Sequence, residues 1–140
     1  MLRHRQRHWR RPLLSVLTAA LALGAGVTVL AAPAQAAVTD LRINEVEAGG
    51  SPDWVELVNT GSTAQALTGL VLRDDSDATD HTWVIPAGLT VPAGGRLTID
   101  QSDAGVTGFP FGLGNGGDKV RLFQSDGTTA VDSKNATYNP

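Results

Sequence analysis

The chain contains no cysteine. Disulfides, thiolate nucleophiles and cysteine zinc sites are therefore excluded, and stability must come from burial and strand pairing. Histidine is almost as scarce. His4 and His8 fall in an arginine-rich amino terminus, which leaves His81 alone in the body of the chain. A single histidine cannot build a multi-histidine metal site. It could serve a serine triad, but no Gly-x-Ser-x-Gly elbow occurs and His81 opens a segment that reads as a strand. Aromatic residues make up only 5 % of the chain, so each buried ring carries a large share of any core. No long stretch places apolar residues at helical spacing, which argues against a helical fold.

What the sequence does have begins with a leader. Residues 1–12 carry Arg3, Arg5, Arg7, Arg10 and Arg11 and no acid, and residues 13–32 are almost wholly apolar. Ala34-Gln35-Ala36 then offers small residues where a signal peptidase reads, so the sequence predicts a signal peptide over 1–36 and a secreted, extracellular protein. Arg10-Arg11 with Leu13-Leu14 resembles a twin-arginine signal, but Trp9 stands where Ser or Thr is usual, which favours general secretion. The membrane becomes a partner only if the leader stays uncut.

Five of the eleven basic side chains lie in this leader, whereas all fourteen acids lie at Asp40 or beyond. The exported part thus has six basic residues against fourteen acidic ones. Such a balance repels phosphate backbones and disfavours direct nucleic-acid binding, while suiting cations or basic partners.

Beyond the leader, turn signals recur at short spacing between β-rich runs, the signature of a small all-β sandwich or barrel. Leu41-Arg42-Ile43-Asn44-Glu45-Val46-Glu47 and Trp54-Val55-Glu56-Leu57-Val58-Asn59 read as neighbouring strands around the turn Gly49-Gly50-Ser51-Pro52. In the second of them, alternation sets Val55 and Leu57 on one face and Trp54, Glu56 and Val58 on the other. Further strands are expected over 67–72, 81–85, 96–100 and 119–123, with a turn at Ser125-Asp126-Gly127 and a return over 128–132. Trp83 and Ile85 should share a core face. The glycine-rich region 104–117 reads as an irregular loop pinned by Phe109 and Phe111, and residues 134–140 as a flexible or truncated tail.

Six motifs in order, Ile43-Asn44-Glu45-Val46, Asp53-Trp54-Val55-Glu56-Leu57-Val58-Asn59, Leu67-Thr68-Gly69, Ile85-Pro86-Ala87-Gly88, Val91-Pro92-Ala93-Gly94-Gly95 and the run from Phe111 through Asn115-Gly116-Gly117-Asp118-Lys119 to Leu122, resemble a lamin tail domain of the exported bacterial type. The resemblance implies an immunoglobulin-like β-sandwich over 37–133. It also implies relatives that occur alone or joined to secreted nucleases and phosphohydrolases. Heptads and a carboxy-terminal prenylation cysteine, found in filament-forming members, are missing here. Bacterial members usually carry another strand after the segment seen here as Val131-Asp132-Ser133.

Three sets of residues compete as sites. Asp74, Asp75, Asp77 and Asp80 form the densest acid cluster and could offer calcium its oxygen ligands, although an EF-hand would need Gly where Asp80 stands and Glu where Pro86 stands. Glu45 and Glu56 could face each other as an acid–base pair, or be neutralised by Arg42 or Arg121. Gly112-Leu113-Gly114-Asn115-Gly116-Gly117 fits the dinucleotide pattern, but a β-rich run follows where that mechanism needs a helix. Asn135-Ala136-Thr137 is a glycosylation sequon. No catalytic set and no obligatory cofactor emerge. The expected function is a secreted, non-catalytic binding or tethering module for an extracellular protein or polymer. The alternative is an accessory or fragment of an exported nuclease or phosphohydrolase system, with a metal-dependent hydrolase built on the aspartate loop behind both.

Overall fold

The computed structural model describes residues 37–102, 105 and 107–136. The expected signal peptide over 1–36 and the end of the tail, 137–140, lie outside the described residues. Contacts divide the chain between Pro33 and Ala34, and every residue of the hydrophobic core belongs to the unit Ala34–Pro140.

Among the described residues the chain runs through β1 (Leu41–Glu47), β2 (Trp54–Asn59), β3 (Gln65–Ala66), β4 (Val71–Arg73), a 3-10 turn (Thr79–His81), β5 (Thr82–Val84), β6 (Thr90–Val91), β7 (Arg96–Asp100), β8 (Asp118–Phe123) and β9 (Ala130–Ala136). One sheet has the order β1-β2-β7, a second β5-β4-β8-β9, and β3 pairs with β6 as a small ribbon. All of these strand pairs are antiparallel. Inward residues of both sheets join in one core that includes Ile43, Val55, Leu57 and Ile99 from the first and Leu72, Trp83, Val120 and Leu122 from the second. The fold is an all-β, immunoglobulin-like sandwich.

Alternation in β2 follows the sequence: Val55 and Leu57 are buried, and Trp54, Glu56 and Val58 face outward and are half-buried. In β1 the alternation slips by one residue, because the register shifts between Ile43 and Glu45. That bulge absorbs Asn44 and lets Ile43 and Val46 both reach the core. The Ile43 N–H donates to Asp132 Oδ2 on β9 at 2.8 Å, which ties the two sheets together along one side. Gln124 makes a second tie, accepting from the Val38 N–H and donating to the Val38 carbonyl.

Three expectations are corrected. The strand expected over 67–72 is split, because Leu67 to Leu70 closes a turn (Leu70 N–H to Leu67 O, 3.0 Å) with Gly69 at φ 78. That turn needs positive φ at its third residue, which glycine supplies without strain. The segment expected as a strand over 81–85 begins as the 3-10 turn and pairs only over Thr82–Val84. The return after Asp126-Gly127 starts at Ala130 and continues to Ala136, so Lys134 and Asn135 pair with Val120 and Lys119 and Ala136 is buried. Pairing with β8 as far as Asp118 is what extends the strand past Ser133.

The described part of the glycine-rich region is pinned by its aromatic rings as expected. Phe109 and Phe111 are buried with ring centroids 5.2 Å apart, and the Trp83 indole N–H donates to the Gly105 carbonyl at 2.7 Å. At Gly108 the chain passes so near β7 that a Cβ would lie 1.8 Å from the Asp100 carbonyl oxygen, so no other residue fits.

Both ends of the β2 motif are buried and polar. Asp53, 5 % exposed, accepts the Gly49 N–H on Oδ1 (2.8 Å) and the Leu113 N–H on Oδ2 (2.7 Å), and its carbonyl accepts the Gln101 N–H. Asn59, fully buried, donates to the Thr63 and Val91 carbonyls and accepts from the Gly61 N–H. Removing the acceptor at Asp53 leaves two amides unpaired. Asp53→Ala should therefore cost about 2–4 kcal/mol in urea unfolding, and Asp53→Asn, which keeps one acceptor, distinctly less. Equal stability of Asp53→Ala and the parent chain would contradict this account.

Candidate functional site

The acidic segment leaves β4 at Asp74 and returns at β5. Asp74 is 2 % exposed, and both its oxygens are engaged. Oδ1 accepts the Ser76 N–H at 2.7 Å, and Oδ2 forms a short hydrogen bond with His81 Nδ1. The His81 ring is half-exposed and lies stacked 6.1 Å from the Phe111 ring. The hydrogen bond to Asp74 pushes the His81 pKa up from its ordinary 6.5; burial opposes that, and the charges of Asp74, Asp80 and Asp118 add to it.

Register decides which acids meet. Because β4 pairs with β8 so that Arg73 faces Arg121, Asp118 at the start of β8 lies beside the acidic segment. Carboxylate oxygens of Asp74, Asp75 and Asp118 come within 4.8 Å of one another, so these three could each offer a hard cation one ligand. Asp77 instead pairs with Arg121 Nη1 at 3.0 Å and more loosely with Arg73 Nη1 at 3.8 Å. Asp80 lies in the 3-10 turn. The sequence places four aspartates in one loop, and the fold brings two of them to Asp118. Sequence reasoning missed Asp118, whose one signal was its place in the motif Gly116-Gly117-Asp118-Lys119-Val120.

Asp118 already serves the backbone. It accepts the N–H groups of Gly114 (2.9 Å), Lys119 (2.7 Å) and Asp75 (3.3 Å). Arg121 holds the segment from the opposite side, donating from Nε to the Asp74 carbonyl (2.6 Å) and from Nη2 to the Ser76 carbonyl (2.8 Å). The guanidiniums of Arg73 and Arg121 both lie over the Phe123 ring, at 5.3 and 5.6 Å. Phe123 thereby fixes the two arginines that fix the loop.

A histidine held by a buried carboxylate supplies two members of an acid–base triad, and among the described residues no serine or threonine hydroxyl hydrogen-bonds to it. Ser76 Oγ accepts the Ala78 N–H, and Thr82 Oγ1 donates to the Ala78 carbonyl and accepts from Arg73 Nε. These hydroxyls close local turns. Glu45 and Glu56 are direct cross-strand partners, as the sequence suggests. Glu56, however, takes a hydrogen bond from Asn44 Nδ2 (2.6 Å) and pairs with Arg96 (3.4 Å), in place of the expected Arg42 or Arg121. The glycine pattern at 112–117 ends in a turn closed by Gly117 N–H to Gly114 O and leads directly into β8, so no helix terminus faces a phosphate.

Two titrations with opposite signs follow. Folding raises the His81 pKa, so the stability it contributes is complete below pH 6.5 and is lost as pH rises through the folded value. Asp126 accepts the Thr128 and Thr129 N–H groups and the Thr129 hydroxyl, chiefly the last, and its pKa falls from 3.8 to about 2. Its contribution is complete above pH 3.8 and is lost as pH falls through that window. Midpoints of urea unfolding measured across pH should therefore show both steps, with His81→Gln erasing the neutral one and Asp126→Ala the acid one. Persistence of the neutral step in His81→Gln would assign it to another group.

Comparison with curated proteins finds none that matches the chain. A family model described as Lamin Tail Domain matches residues 34–138, which takes in the nine strands found among the described residues and the acidic segment. The chain belongs to the lamin tail domain family.

Proposed function

We propose that this protein is an exported, non-catalytic binding or tethering module that engages an extracellular protein or polymer. The observation that carries this reading is the use made of its polar side chains. Asp53, Asn59, Asp74 and Asp118 are each consumed in hydrogen bonds that hold backbone or a neighbouring side chain, and His81 is held by Asp74. Asp53, Asn59 and Asp118 hold backbone groups and are not free to move a proton, and no serine or threonine hydroxyl among the described residues hydrogen-bonds to His81 as a nucleophile would.

A sandwich of this kind offers its partners sheet faces, strand edges and loops, and function resides in what those surfaces carry. The leader predicted over 1–36 supports export, and the surplus of acids beyond it supports a basic or cation-bearing partner over nucleic acid. Two assays test the proposal together. The unit Ala34–Pro140 should hydrolyse phosphodiester and phosphomonoester substrates no faster than buffer, with or without calcium or magnesium. Cross-linking in culture medium should trap it on an extracellular partner. Turnover that survives purification and disappears in His81→Gln would overturn the non-catalytic reading.

A further inference from the structure

The outward face of the first sheet carries a row that the acidic segment does not involve. Trp54 on β2 pairs directly with Glu47 on β1 and with Asp100 on β7. Directly opposed residues in antiparallel strands point to the same face with Cβ atoms about 4.5–5.5 Å apart, so Trp54 is flanked by an acidic residue on each neighbouring strand. Neither carboxylate has a hydrogen-bond donor or a cation partner among the described residues. The basic side chains of that face are committed elsewhere, Arg96 to Glu56 and Arg42 to the Thr39 and Leu41 carbonyls. Trp54 is half-buried, and its indole N–H, which makes no hydrogen bond among the described residues, is not sealed from solvent. Trp83 differs in every respect, being buried and bonded to Gly105.

We infer that Glu47, Trp54 and Asp100 form a docking site for an arginine side chain presented by a basic segment of a partner protein. This deepens the binding-module reading and rests on it. A cation is attracted to the face of an indole, and two unpaired acids beside that face add charge of the complementary sign. Arginine fits better than lysine because its planar guanidinium stacks on the ring while its edge donates in a fork to a carboxylate. Beyond the leader the chain has eight more acids than bases, which steers a basic segment toward it. Glu45, exposed on β1 on the same sheet, extends the acidic row.

The test uses Ala34–Pro140, in which Trp54 and Trp83 are the only tryptophans. A blocked tetra-arginine peptide is titrated while tryptophan emission is followed, with tetralysine and tetracitrulline in parallel. The arginine peptide should perturb the emission, bind more tightly than tetralysine and lose affinity with salt, and tetracitrulline should leave the signal unchanged. Trp54→Leu should weaken binding by about tenfold, as loss of a partly desolvated cation–π contact implies. Glu47→Gln with Asp100→Asn, which leaves the fold's apolar contacts in place, should weaken it at least as much, and Asp80→Asn should not. Equal binding by all variants would overturn the site. So would perturbation of Trp54 by a neutral cell-wall oligosaccharide in place of the peptide. Capture of a partner in culture medium by the Glu47→Gln, Asp100→Asn chain as readily as by the parent would refute this site and leave the binding-module reading standing.

Discussion

The carboxylate of Asp53 is the interaction on which the rest of this sandwich depends. It reaches from the start of β2 to the Gly49 N–H in the preceding turn and to the Leu113 N–H in the glycine-rich loop, two segments with no strand to satisfy them there. Buried amides without partners are costly, so a loop can pass through the interior only where something accepts its hydrogen bonds. Asn59 does the same at the far end of β2, for Gly61 and for the carbonyls of Thr63 and Val91. The strand between these two residues is ordinary in its alternation. Its polar ends make it the organising element, because they fasten loops from both ends of the sandwich to one rod.

The acidic segment repeats that logic in the connection between β4 and β5. It carries Asp74, Asp75, Asp77 and Asp80 in seven residues, which would repel one another in a free loop. Arg121 grips its carbonyls and Asp77, Asp74 turns inward to Ser76 and His81, and Asp118 collects the Asp75 amide. These bonds make the segment a strap, and they leave the carboxylates of Asp74, Asp75 and Asp118 gathered within 4.8 Å of one another. On the first sheet, Glu47 and Asp100 flank Trp54 with carboxylates that hold no backbone group among the described residues.

Much of this was legible in the residues. The spacing of turns and the alternation in Trp54–Asn59 and Arg96–Asp100 define strands and faces directly, because each strand has one wet side. Core roles for Trp83 and Ile85 follow in the same way. Elsewhere tertiary context overrode local pattern. Leu67 and Leu70 look like strand residues because they are apolar, yet both are buried from a turn that Gly69 makes possible. The bulge at Asn44 and the reach of β9 to Ala136 depend on what the neighbouring strand offers. Asp118 joined the acids through register alone, since 38 or more residues separate it from the aspartates of the loop and no local signal spans that distance.

The account's central claim is that buried polar side chains hold the loops of this fold as firmly as the ladders hold its strands. Native-state hydrogen exchange at the Leu113 amide tests it most directly, because this loop amide has only Asp53 as its partner. The account predicts exchange as slow as at Leu57 and Val120 in the core strands, requiring global unfolding. Exchange at the rate of the exposed Gly116 amide in the same loop would show that the Asp53 bond opens locally, and would contradict the claim.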